Sequence, residues 1–201
     1  MEISHSSSTN PIIFFSILIL LFINCSARHH QTSDHEHSGE LKTTSNFQLP
    51  NINPGITKIC HDTDYFDVCV SSIAPLLKGR EGTSDIPSVL QIAIQAATDK
   101  TKDALAELER IASDSGSSKQ LKSTLNDCRD SYNDALENFQ SALDALPSRD
   151  VGTMNSMLSA CVTDFGDCDD FLDGFEVSLP DINRKLTQMT SNCLAISSLL
   201  N

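Results

Sequence analysis

Cys60, His61 and Asp62 place a thiol, an imidazole and a carboxylate side by side, the set a thiolate nucleophile would use. The other cysteines argue against that use. Beyond Cys25 the chain carries Cys60, Cys69, Cys128, Cys161, Cys168 and Cys193. An even set in an exported chain reads as a disulfide framework, and a sulfur tied in a bridge is no nucleophile. His61 is also the only histidine after residue 37, and no Gly-x-Ser-x-Gly elbow, phosphate loop or metal-spaced His/Glu pair occurs. His29, His30, His35 and His37 lack a cysteine or carboxylate cage of fixed spacing, so they read as part of a solvated linker. The inventory excludes an enzyme and calls for no cofactor or metal. Cys60 and Cys69, nine residues apart, and Cys128 and Cys168, forty apart, read as two structural disulfides, and Cys161 and Cys193 as either a third bridge or free thiols in core positions.

Several features point to export. Pro11 to Ile23 is almost purely apolar and is followed by the small residues Cys25-Ser26-Ala27. A membrane helix needs ~20 apolar residues, so residues 1–27 read as a signal peptide, although no Lys or Arg precedes the core. Residues 28–50 are polar and nearly free of large apolar side chains, a disordered arm. The sole N-glycosylation sequon, Asn24-Cys25-Ser26, leaves with the leader. The whole chain has a formal charge of −13, and removal of Glu2 with the leader makes it −12. Such a protein repels nucleic acid and anionic membranes and attracts a basic partner.

The elements that hold the cysteines are helices. Asp85 before Ile86-Pro87 is an N-cap with proline in the first turn, and Val89, Ala93, Ala97, Thr101, Leu105, Leu108 and Ala112 follow at 3–4 spacing. After Ser113–Gly116 come Leu121, Leu125, Cys128, Tyr132, Ala135, Phe139, Ala142 and Leu146, stopped by Pro147. Asp150 caps a third stripe, Met154, Leu158, Cys161, Phe165, Cys168, Leu172 and Phe175. Pro180-Asp181 opens the last, with Ile182, Leu186, Met189, Cys193, Ile196 and Leu200. Short connections make neighbours antiparallel. The expected fold is all-α: an up-down-up-down four-helix bundle, disulfide-stabilised, with residues 56–80 as an N-terminal helical hairpin clipped by Cys60–Cys69.

Antiparallel geometry selects one pairing. About the turn Pro147-Ser148-Arg149, Cys128 reflects onto Cys168. Cys161 is seven residues away, ~10 Å along the axis, beyond the ~4.4–6.8 Å Cα separation of a disulfide. Cys161 and Cys193 reflect about Val177, which leaves both of their states open.

ICHDTDYFDVCVSSI, LNDCRDSYNDALENFQSALDAL, MNSMLSACVTDFGDCDDFLDGF and LTQMTSNCLAISSLL together resemble the plant pectin methylesterase inhibitor and invertase inhibitor family. The DCxxxYxxA and SAxxTxxxxC patterns carry most of the likeness, which spans roughly residues 54–200. It implies an inhibitor domain over 51–201, with first-to-second and third-to-fourth cysteine bridges. It implies a secreted monomer of the apoplast that binds pectin methylesterase one-to-one and occludes the pectin cleft, with acid invertase as the alternative target. The texture of SACVTDFGDC and SNCLAISSLL, and the lack of a Pro-Lys-Phe element, resemble the pectin-directed branch. Family acids beside the third and fourth cysteines fall on Asp130, Glu137 and Asp170 as partner contacts. Asp167 stands where the family often has Thr. A wall protein with no enzyme partner is the third reading, because fold alone does not fix function.

Overall fold

The computed structural model describes residues 52–78, 82 and 84–200. The expected signal peptide and polar arm lie outside the described residues. The helices are α1 (Pro54–His61), α2 (Phe66–Ile73), α3 (Ile86–Ser113), α4 (Lys119–Ala145), α5 (Val151–Phe171) and α6 (Leu179–Ser198), with a 3₁₀ turn at Ala74–Leu77 after α2. No strand occurs among the described residues. Helices α3 to α6 form a ring in which each packs on the next and α6 closes onto α3; α1 and α2 lie against α3 and α6. This is the expected bundle and hairpin.

Local chemistry sets the ends. The Asp85 carboxylate accepts from the Ser88 N–H at 3.0 Å, and Asp150 accepts from Thr153 N–H at 3.0 Å. Ser118, not anticipated from the sequence, caps α4 by accepting from Leu121 N–H at 3.1 Å. Each cap satisfies a backbone donor that the first helical turn leaves without a partner. Helix α5 ends earlier than its apolar stripe suggests, and the chain turns through Gly174 at φ +83°, a left-handed conformation glycine adopts without strain. Phe175 therefore lies beyond the helix and is only half-buried.

The core is built from these stripes. Tyr132, Phe139 and Phe165 are fully buried between α4 and α5, with Phe165 at 6.3 Å from each of the other two rings in tilted contact. The Cys128–Cys168 bridge crosses the same pair of helices with a Cα separation of 4.6 Å. Cys60–Cys69 ties α1 to α2 across 5.7 Å. Cys161 and Cys193 are buried free thiols, so no third bridge joins them.

The last helix departs from its expected face. Ile182 is only half-buried, while Asn183 beside it is fully enclosed. The Tyr132 hydroxyl donates to Asn183 Oδ1 at 2.6 Å, and Asn183 Nδ2 donates to Asp169 Oδ1 at 2.7 Å. Asn192 docks the hairpin: its Oδ1 accepts from Tyr65 N–H at 3.1 Å and its Nδ2 donates to Tyr65 O at 2.9 Å. Every buried side-chain polar atom among the described residues has a partner. Buried groups robbed of a partner keep their desolvation penalty, so Asn183→Ala should cost about 1–3 kcal/mol. Urea unfolding will show this as a lower midpoint at unchanged slope; an unchanged midpoint would mean the network contributes nothing net.

Candidate functional site

Helices α4 and α5 together carry nine acids against three bases, Lys119, Lys122 and Arg129, all in the first half of α4. From Asp130 to Asp170 the chain carries nine acids and a single base, Arg149. Ion pairs among the described residues are all one turn apart and lie on α3 and α6: Lys100–Asp103, Lys102–Asp99, Arg110–Glu107 and Arg184–Asp181. None involves α4 or α5, so the acids of this face are not neutralised by ion pairs among the described residues.

The four sequence-predicted contact residues, Asp130, Glu137, Asp167 and Asp170, are all exposed. The bridge fixes how they are disposed. At about 100° per residue, Asp130 and Glu137 point almost opposite to Cys128, and Asp170 almost opposite to Cys168. They form two crests facing away from the core. Asp167 lies a quarter-turn round, on the flank of α5 that meets α4. Asn138 Nδ2 of α4 donates across that flank to Asp164 Oδ2 at 3.0 Å. Asp134 and Asp167 both act electrostatically on Asp164. The expected stripe is thus two acidic crests with an acidic seam between them.

The seam acids Asp134 and Asp164 and the Asn138 clamp were not singled out from the sequence. Asp134 and Asn138 lie one turn apart on α4, a spacing that marks a shared flank, but nothing in it shows that α5 covers that flank.

Burial is the main cause raising the Asp164 carboxyl above its ordinary value, with Asp134 and Asp167 adding to it; the Asn138 hydrogen bond opposes. Asp169 is likewise raised by burial and by Asp170, against its bond from Asn183 and the charge of Arg184. Glu107 behaves oppositely. Two hydrogen bonds from Arg110, both 2.7 Å, and one from the Ser178 hydroxyl at 2.9 Å hold it down at about 2. That link lies on α3 and ties it to the start of α6.

The residues that could have done covalent chemistry are occupied otherwise. Cys60 is bonded to Cys69, and His61 stacks on Phe66 with centroids 4.2 Å apart. No group of three or more His, Cys, Asp or Glu side chains that could hold a metal occurs among the described residues. Nor is any helix there long and apolar enough to cross a membrane.

A family model described as plant invertase/pectin methylesterase inhibitor matches residues 54–196. The chain belongs to that family. Its members are inhibitors rather than enzymes. Putative pectinesterase/pectinesterase inhibitor 26 of Arabidopsis thaliana is 28% identical over 156 residues, 69% of this chain but 16% of that relative. Pectinesterase 1 of Arabidopsis thaliana is 27% identical over 172 residues, 74% of this chain and 29% of the relative. The chain thus spans less than a third of these two relatives. A putative invertase inhibitor of Platanus acerifolia is 28% identical over 192 residues, 94% of each chain. The crystal structure of a mutant form of a pectin methylesterase inhibitor from Arabidopsis superposes with a TM-score of 0.61 at 20% identity, over 74% of this chain and 99% of that one. This last likeness speaks for the fold, and the words pectinesterase and invertase inhibitor both appear among the relatives' names.

The raised Asp164 has a definite consequence for stability. An acid whose folded pKa exceeds its unfolded value binds more protons when folded, so stability falls as pH rises from the ordinary carboxylate range through the raised value. Asp164→Asn should therefore leave the melting temperature near wild type at pH 3.5 and raise it increasingly toward pH 7. Equal differences at both pH values would contradict a desolvated charge at this position.

Proposed function

We propose that this protein is a secreted inhibitor of plant cell-wall pectin methylesterase that binds one-to-one and lays its acidic α4–α5 face on the rim of the pectin cleft. The observation that carries the reading is an acidic face without ion pairs among the described residues, tied by a disulfide, in a chain of the invertase/pectin methylesterase inhibitor family. Asp130 and Glu137 on one crest, Asp170 on the other and Asp167 in the seam would meet basic groups on the enzyme. Carboxylates that converge on such groups accelerate encounter and orient docking, and their effect weakens as salt screens them. The apolar leader read from the sequence would take the chain to the apoplast, where a monomer with two disulfides persists.

Inhibition of acid invertase is the second reading. It is favoured by the Platanus acerifolia relative, a putative invertase inhibitor aligned along nearly the whole of both chains. Both readings use the same scaffold and differ in which enzyme surface complements the acids.

Parallel titration of purified pectin methylesterase and acid invertase separates them. Pectin methylesterase should lose activity with an end point at one equivalent while invertase keeps its own; the reverse would move the assignment to invertase. Raising salt from about 50 to 500 mM should weaken inhibition at least tenfold, by screening of interfacial charge. Asp130→Ala with Glu137→Ala should also weaken inhibition at unchanged helicity. An inhibition constant untouched by salt and by both substitutions would remove the acidic face from the interface.

A further inference from the structure

Two cysteines have no place in the proposed interface. Cys161 on α5 and Cys193 on α6 are both fully buried, and both are free. Two hydrogen bonds between these helices set their register: Ser197 Oγ donates to Asn155 Oδ1 at 2.5 Å, and Asn183 Nδ2 to Asp169 Oδ1 at 2.7 Å. Both bonds place residue 161 level with residue 191, so Cys193 lies only two residues further along, about 3 Å on the axis. Each side chain faces the core, and Cys193 acts electrostatically on Cys161. The Cys161 thiol meanwhile donates to Ala135 O of α4 at 3.4 Å.

We propose that Cys161 and Cys193 are a shielded dithiol that closes into a third disulfide, tying α5 to α6, when the bundle opens in the presence of a small-molecule disulfide oxidant. The chemistry is an exchange. The thiolate of one cysteine attacks a sulfur of oxidised glutathione and releases one glutathione thiolate. The second cysteine, as its thiolate, then attacks the protein sulfur of this mixed disulfide and releases the other. One S–S bond is consumed and one formed; the two protein thiol protons end on the two glutathiones, and the oxidant gains the two electrons.

The native fold resists this reaction in two ways. Neither sulfur is reachable from solvent. Burial also raises both thiols, Cys193 to about 12, so the reactive thiolate is scarce while the bundle is shut. Closure further requires Cys161 to turn away from the Ala135 carbonyl. The redox state of the pair is therefore set during folding or transient opening and preserved afterwards.

The test uses the purified chain with both thiols reduced and both outer bridges intact. It is incubated with oxidised glutathione in buffer and at a urea concentration just below the unfolding transition, then alkylated and mapped by mass spectrometry. The expected result is no change in buffer, and in urea a Cys161–Cys193 peptide with a melting temperature about 5–10 °C above the reduced form. Cys193→Ala treated in the same way should stop at a glutathione adduct on Cys161. Wild type that also stops at adducts, bridges between two chains, or stays reduced in urea while Cys193→Ala is modified would overturn the proposal, as would ready oxidation in buffer.

Discussion

The Cys128–Cys168 bridge joins two helices that their charge would drive apart. The two helices carry nine acids against three bases, and no ion pair among the described residues relieves either of them. Self-repulsion of this kind destabilises a compact state. A cross-link spanning 40 residues limits the unfolded chain, an effect of about 4 kcal/mol in the chain-entropy view. Along the same pair of helices Tyr132, Phe139 and Phe165 are fully buried, and Asn138 spans the seam to Asp164. Bridge, aromatic cluster and amide clamp all act on the one helix pair whose outer surface is most charged. The arrangement makes sense if that surface has a partner, since a stripe of like charge otherwise only weakens the fold.

The remaining contacts keep this pair in place. Helix α6 is anchored to α5 by Asn183 and Ser197, to the hairpin by Asn192, and at its start to α3 through the Ser178–Glu107 bond. These polar links are specific in a way that a core of Ala, Leu and Cys is not, because each fails if the register slips by one residue. The bundle has few aromatics to lock it, so direction and register rest on amides and on sulfur.

Much of this could be read from the chain before its shape was known. Asp85 and Asp150 sit just ahead of the apolar stripes they cap, and a cap acts on residues within one turn. The Cys128–Cys168 pairing followed from reflection about Pro147–Arg149, because antiparallel neighbours leave little freedom in level. What escaped were groups whose partners lie far along the chain. Asn192 binds Tyr65 across 127 residues, and no local pattern marks an asparagine that will be buried. Asn183 displaced Ile182 from the core for the same reason: its worth comes from Tyr132 and Asp169, not from its own polarity. A 3–4 path from Leu179 through Asn183 to Leu186 was present, but hydrophobicity alone favours the isoleucine. At the candidate site the exposure of Asp130, Glu137, Asp167 and Asp170 agrees with their positions off the apolar stripes. The seam formed by Asp134 and Asp164 became visible only once α4 and α5 were set side by side.

In the proposed function, sulfur holds two acidic helices as one surface for a partner enzyme. The most direct measurement compares inhibition of pectin methylesterase by the native chain and by Cys128→Ser with Cys168→Ser, at a temperature where circular dichroism shows both to be helical. Inhibition by the variant should be at least tenfold weaker. Full inhibitory strength without the bridge would contradict it.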